Sequence, residues 1–373
     1  MENMGLNSMI TNDFWQGKRV LITGHTGFKG SWLSMWLHHM GAIVQGFALA
    51  PPTKPSLFIE AKLNEKILSE EGDIRDEAHL YQSIHQFKPD IVFHMAAQSL
   101  VRLSYESPVE TYSTNVMGTV SLLEAVRKVG TIKAVVNVTT DKCYENQEWL
   151  WGYRESEPMG GYDPYSSSKG CAELITSAYR RSFFNPEKYS KHGCALASAR
   201  AGNVIGGGDW ALDRLIPDIL KAFSKHEIVQ IRNPNSIRPW QNVLEPLSGY
   251  LMLAEKLYNE GVNFAEAWNF GPKEENSQSV KWIANCLASQ WSDNAAYQIT
   301  TTVQPHEANF LKLDCSKAKI KLGWQPLWGL HHALDRTVNW YKAWLGKSDM
   351  YQYSIDEIRD YMRSQSSICS QGL

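Results

Sequence analysis

Short runs dense in apolar and β-branched residues recur through the first half of the chain, each followed by a stretch whose bulky groups fall at helical spacing. KRVLITG (18–24) and AIVQGFA (42–48) have the length and composition of strands buried on both faces of a parallel sheet. Between them, FKGSWLSMWLHHM sets Phe28, Trp32, Met35 and Trp36 at helical spacing. A third strand-like run precedes GDIRD, and DIVFHMA (90–96), IKAVVNVT (132–139) and CALASAR (194–200) continue the series. Long helices are expected at 107–129 and 164–183. This alternation predicts an α/β fold, a Rossmann-type doubly wound parallel sheet over 15–204.

The pattern loosens after residue 205. EIVQIRN (227–233) and FLKLD (310–314) read as short strands, with helices near 243–258 and 279–291. They predict a smaller C-terminal α/β lobe over 205–362, with a later segment crossing back to the first domain. RSQSSICSQGL (363–373) has the small polar composition of a flexible tail.

Composition narrows the function classes. A chain of 373 residues makes one large or two interlocked domains. With 20% charged residues and a formal net charge of −2, no global field favours nucleic acid or an anionic membrane. No uncharged stretch is long enough to span a bilayer, and MENMGLNSMITNDFW lacks the pattern of a signal peptide. The six cysteines are scattered with no CxxC pair, and His38–His39 lie on a helix without ligand partners, so neither a disulfide framework nor a metal site is expected. A reducing, cytoplasmic setting suits these features. The fourteen tryptophans and sixteen tyrosines serve either stacking clefts or core.

GHTGFKG places Gly24, Gly27 and Gly30 directly after a strand and before a helix. Glycine there permits a tight turn and lets the backbone approach a pyrophosphate seated on the helix N-terminus. The second strand runs on as GFALAPP, with neither the acid that reads an adenosine ribose nor an arginine for a 2′-phosphate; NAD is the better expectation. Asp73 of GDIRD either contacts the adenine edge or caps the following helix.

Tyr165 and Lys169 form YSSSK, four apart and therefore on one helix face. A tyrosine with a pKa of about 10 is a poor base at neutral pH, and a nearby lysine together with a cationic nicotinamide favours its phenolate. Thr140 stands at the end of a strand, where its hydroxyl can hold the substrate oxygen. TTDK sets Asp141 and Lys142 directly after it. Elimination needs a proton acceptor on one atom and a donor on the next, and adjacent side chains at a strand end can supply both. A plain turn explains Asp141 but not Lys142.

GHTGFKG, HMAAQ (94–98), NVMG (115–118), TTDK, YSSSK and ARAGNVIGGGD (199–209) together resemble the extended short-chain dehydrogenase/reductase family over nearly the whole chain. With HTGFKGSWL, EWLWGYRE (148–155) and IRPWQNVLEP (237–246), the TTDK variant is similar to the nucleotide-sugar dehydratases of that family, and to the branch acting on CDP-glucose. The resemblance implies NAD contacts from Gly24, Thr26, Gly27, Phe28, Lys29, Gly30, Asp73, Ile74, Ala96, Ala97, Gln98, Asn115, Tyr165 and Lys169. It also implies a chemistry in which hydride leaves sugar carbon 4 while Tyr165 accepts the hydroxyl proton. A proton then leaves carbon 5, the 6-hydroxyl departs as water with a proton from Asp141, and hydride returns to carbon 6. Lys142 stands where related enzymes place a glutamate base, and acts either as that base or as a stabiliser of the enolate. Asn203, Asp209, Arg214 and Arg238 fall in substrate-binding segments, and His306–Glu307 follow such a region. The resemblance also implies a homodimer or homotetramer through the two long helices. The alternatives are an epimerase or decarboxylase of the same fold, the epimerase being argued against by Asp141–Lys142, and a non-catalytic dinucleotide-binding protein, which the intact Thr140, Tyr165 and Lys169 disfavour.

Overall fold

The computed structural model describes residues 10, 12–291, 295–300 and 311–371. Its strands are β1 (Arg19–Thr23), β2 (Ile43–Ala48), β3 (Leu68–Glu71), β4 (Ile91–His94), β5 (Ala134–Val138), β6 (Ala195–Ala201), β7 (Asn203–Ile205), β8 (Val229–Ile231), β9 (Ile237–Asn242), β10 (Ala267–Phe270), β11 (Ser277–Ser279) and β12 (Tyr297–Ile299). Seven of them form one sheet in the order β10-β6-β5-β4-β1-β2-β3, all parallel. The strand sequence reverses between β1 and β4, and ligands of such sheets bind in the crevice beyond the carboxyl ends at that switch point. Every residue of β5 is buried, as its unbroken apolar run requires.

The second half of the chain does return to this sheet. β10 extends the β6 edge, and the Leu244–Glu260 helix packs beneath β5 and β6. The rest forms a lobe from the three-stranded sheet β11-β9-β7, the parallel pair β8–β12, and the helices Leu215–Ser224 and Val280–Trp291. The Phe28–His39 helix buries Trp32, Leu33, Met35, Trp36 and Leu37, so it is apolar on more than one face. The C-terminal helix Met350–Gln371 covers it, with the Tyr361 ring 5.6 Å from Trp36 and the Tyr351 hydroxyl 2.7 Å from His38 Nδ1.

Three expectations need correction. The 363–373 stretch is helical as far as Gln371, because Ser364, Ser366 and Ser367 each return their hydroxyl to the carbonyl four residues back and Trp328 reaches Ser364. FLKLD forms no strand in its described part; Leu313 makes one bridge to Tyr153, and Leu311 and Leu313 pack with Tyr144 and Tyr153. The 107–129 helix is divided into Pro108–Tyr112, a π-helical turn Ser113–Met117, and Gly118–Val129. Such a turn often marks a place where one side chain is pulled out of register, and here that residue is Asn115. No helix among the described residues is long and apolar enough to cross a membrane.

Candidate active site

A cleft of about 830 Å³ opens at the carboxyl ends of the sheet, between it and the second lobe. The glycine loop forms its floor, and its three glycines have different tasks. Gly24 has φ +78°, and a side chain there would meet the Ala96 backbone at 2.7 Å. At Gly30 a side chain would run into the Gly24 carbonyl. At Gly27 it would meet nothing nearer than that carbonyl at 3.4 Å. Gly24 and Gly30 therefore let the loop fold, while Gly27 keeps a space open above it. No side chain caps the Phe28–His39 helix, so its first N–H groups remain for an anion. Thr26 ties the loop to the end of β2 through the Leu49 carbonyl at 2.9 Å. Thr23 Oγ1 lies 2.7 Å from His94 Nδ1 and accepts from the Met95 and Ala96 amides, which fixes the Ala96–Ala97 segment opposite. This cradle fits a dinucleotide pyrophosphate.

Thr26, Phe28, Lys29, Asp73, Ile74, Ala96, Ala97 and Gln98 all line the cleft. Asn115 does not. It is buried in the π turn, where its amide brackets the Gln98 backbone and donates to Ser168 at 2.8 Å, so it positions Gln98 from behind. The helix-cap reading of Asp73 also fails: Asp76 caps the Glu77–Phe87 helix, and Asp73 is paired with Arg75.

The catalytic candidates meet in the middle of the cleft. After β5 the chain passes through Thr139 and Thr140 into a tight turn, Asp141–Cys143, capped by Thr140 Oγ1 accepting from Lys142 N at 3.3 Å. The Thr140 hydroxyl donates to Asp141 Oδ1 at 3.0 Å, and Tyr165 lines the cleft with them. Burial raises the Asp141 carboxyl, against the pull of Lys142, Thr140 and Lys29. Lys142 lines the cleft beside it. Burial also pushes Tyr165 up to about 12, and the opposing pulls come from Thr140 and Arg214. Lys169, one turn along the helix from Tyr165, lines the same cleft. Its ammonium donates to the Val138 carbonyl at 3.3 Å, and burial lowers it to about 8, with Glu173 opposing. Burial also brings Lys29 down to about 7.

Behind this set lies a group that the motifs did not include. Glu173, one turn beyond Lys169, accepts from Thr139 at 2.5 Å, Ser198 at 2.8 Å and Arg200 at 2.7 Å. Arg200 in turn donates to the Tyr144 hydroxyl at 2.7 Å and the Glu155 carbonyl at 3.0 Å. The signal was available: one arginine in the otherwise small, apolar strand CALASAR needs a buried partner.

Asn203, Asp209, Arg214 and Arg238 line the opposite wall, with Trp240 below them, 7% exposed and bonded to the Gln278 carbonyl. Arg214 pairs with Asp209 at 3.0 Å and reaches Ser99 of the first domain at 3.3 Å. Asp213, at φ +57°, is shared by Arg102 of the first domain at 3.1 Å and Arg232 of the lobe at 3.3 Å. His306 and Glu307 lie outside the described residues.

Against known proteins, the model of the GDP-mannose 4,6 dehydratase family matches residues 21–337. The chain belongs to this family. The resemblance to extended short-chain dehydrogenases/reductases is thereby borne out. It is 64% identical to a CDP-glucose 4,6-dehydratase of Salmonella typhimurium, over 95% of this chain and 99% of that one. Among solved structures it resembles a dTDP-glucose 4,6-dehydratase of Streptomyces venezuelae crystallised with NAD (23% identity, TM-score 0.75, 89% of this chain and 99% of that one). It also resembles a UDP-glucose 4-epimerase of Thermotoga maritima with UDP-glucose (24%, TM-score 0.75, 88% and 99%). These two matches speak to the fold, which dehydratases and epimerases of this family share.

Proposed function

We propose that this protein is an NAD-dependent hydro-lyase, a CDP-D-glucose 4,6-dehydratase, whose product is CDP-4-dehydro-6-deoxy-D-glucose. The observation that carries the reading is the buried Asp141 carboxyl, bonded by the Thr140 hydroxyl at 3.0 Å in the same cleft as Tyr165. An epimerase has no use for a carboxyl group there, whereas loss of a hydroxyl as water requires a proton donor. The 64% identical relative supports the choice of CDP-glucose.

When bound, NAD supplies the acceptor for hydride from carbon 4 and the donor that returns it to carbon 6. Tyr165 receives the proton of the 4-hydroxyl while Thr140 holds that oxygen. The ketone at carbon 4 acidifies carbon 5, whose proton passes to the Lys142 side of the turn. Asp141 gives its proton to the 6-hydroxyl, which leaves as water, and once hydride has reached carbon 6 a proton returns to carbon 5 from the Lys142 side of the turn. Asn203, Arg214 and Arg238 hold the diphosphate, and the 205–362 lobe binds the nucleotide half. Two copies pair through the Pro108–Tyr112, Ser113–Met117 and Pro164–Ser182 segments, which leave Val109, Met117 and Leu174 exposed. The five cysteines whose side chains are described are unpaired, which suits the cytoplasm.

The test is incubation with NAD and CDP-glucose, UDP-glucose or dTDP-glucose, with mass spectrometry of each product. A CDP-sugar lighter by one water is expected. A product of unchanged mass and inverted carbon 4 would replace this reading with the epimerase.

A further inference from the structure

The cleft is longer than the chemistry needs. Tyr165, Thr140 and the glycine loop account for its first-domain side, and Arg214 and Arg238 flank its passage into the lobe. The remaining wall, from Ile216, Pro217, Asp218, Val229 and Ile231, belongs to the second lobe alone. With the sugar at Tyr165 and the diphosphate between the arginines, the nucleobase is left with this wall. Ile216, Pro217, Val229 and Ile231 are buried apolar surface suited to a ring face. Asp218 is the exception. It sits in the first turn of the Leu215–Ser224 helix, half-buried, and its carboxylate makes no hydrogen bond or ion pair among the described residues. A cleft-facing carboxylate without a partner is costly unless a ligand supplies a donor.

We propose that Asp218 reads the nucleobase: its carboxylate accepts a hydrogen bond from the exocyclic amino group of cytosine and repels the carbonyl oxygen that uracil and thymine carry at that position. The chemistry is the carboxylate-to-cytosine pairing used in base recognition generally. It rests on the dehydratase reading for the orientation of the substrate, and adds the residue that selects among nucleotides. A site built to bond a group rejects the analogue lacking it far more strongly than an apolar pocket does, because the buried polar atom is left unpaired.

The charges facing Asp218 are Asp213, which opposes its ionisation, and Arg232, Lys221 and Arg102, which favour it; burial is the largest influence, and the carboxyl stands at about 6. An amino donor bonds the ionised form. Binding of a cytidine nucleotide therefore weakens as pH falls below about 6 and levels off above it.

The experiment compares wild type with Asp218→Asn and Asp218→Leu, measuring CDP and UDP binding by calorimetry without turnover. Asparagine keeps the shape but can donate to a uracil carbonyl. The CDP/UDP preference is expected to fall by about 100-fold in Asp218→Asn, part of it through tighter UDP binding. Asp218→Leu should lose CDP affinity without gaining UDP. A folded Asp218→Asn protein with the wild-type CDP/UDP ratio overturns the proposal, even where wild-type enzyme dehydrates CDP-glucose. Absence of water loss from CDP-glucose overturns the dehydratase reading, even where the ratio shifts as expected.

Discussion

On the sheet side of the cleft, Glu173 is 3% exposed and accepts from Thr139, Ser198 and Arg200, whereas on the lobe side Asp213 is 41% exposed and shared by two half-exposed arginines. Both are carboxylates paired with guanidinium groups, yet their surroundings give them opposite uses. A buried charge with both carboxylate oxygens engaged fixes geometry, because moving a partner leaves a charge stranded in an apolar interior. An exposed pair is worth at most about 1 kcal/mol and exchanges readily for another anion. The wall that carries Thr140, Asp141 and Tyr165 is built in the first way. The wall that must admit and release a charged nucleotide is built in the second.

The largest effect is expected at the fixed wall. Tyr165→Phe removes the proton acceptor while leaving the ring, the glycine loop and the lobe untouched. Turnover should fall by about three orders of magnitude, on the order of 4 kcal/mol of barrier, with CDP binding unchanged. Retention of a tenth of the wild-type rate would take Tyr165 out of proton transfer.

Next comes the support behind that wall. Glu173→Gln leaves Arg200 buried without its counterion, and denaturant titration should show a loss of roughly 3–5 kcal/mol. Replacing both partners with apolar residues of similar volume should recover most of it, since neither charge is then stranded. The pH dependence has a definite sign. Arg200 and the hydroxyls hold Glu173 below its ordinary 4.5, so its stabilisation is complete above that value and disappears as pH falls through the lower, folded-state value. A mutant as stable as wild type at neutral pH would mean that the two walls do not differ in kind.

The sequence made the fixed wall only half legible, for a physical reason. Spacing within one element is visible in a chain: GHTGFKG at a strand–helix junction, YSSSK along one helix face, TTDK at a strand end. The structure gathers these into one cleft. Pairings between elements are not visible in that way. Glu173 is 27 residues from Arg200, and Asp213 is 111 from Arg102, and nothing local links either pair. The misread segments fail for the same reason. The serine-rich end looks frayed until its own helix carbonyls and Trp328 are counted as partners. Asn115 looks like a ligand contact until the π turn aims it at the Gln98 backbone. β10, four residues of AWNF, is read as no strand in the sequence and becomes the sheet's last strand only beside the parallel edge of β6.

The smallest effect is expected at the exchangeable wall, and it is the one that tests the comparison most closely. Asp213→Asn removes the shared charge but keeps a side chain that tolerates the left-handed backbone at φ +57°. Both ion pairs are exposed, so stability should change by less than about 1 kcal/mol. Arg102 and Arg232 line the cleft, and freed from Asp213 they present more positive potential to a diphosphate. CDP should therefore bind on the order of threefold more tightly, and the gain should shrink as ionic strength rises and the Debye length falls to about 8 Å or less. Calorimetry at two salt concentrations reads both. A loss of several kcal/mol in stability, or weaker CDP binding at low salt, would show that Asp213 orients these arginines for the ligand instead of competing with it, and the lobe wall would then be as fixed as the one it faces.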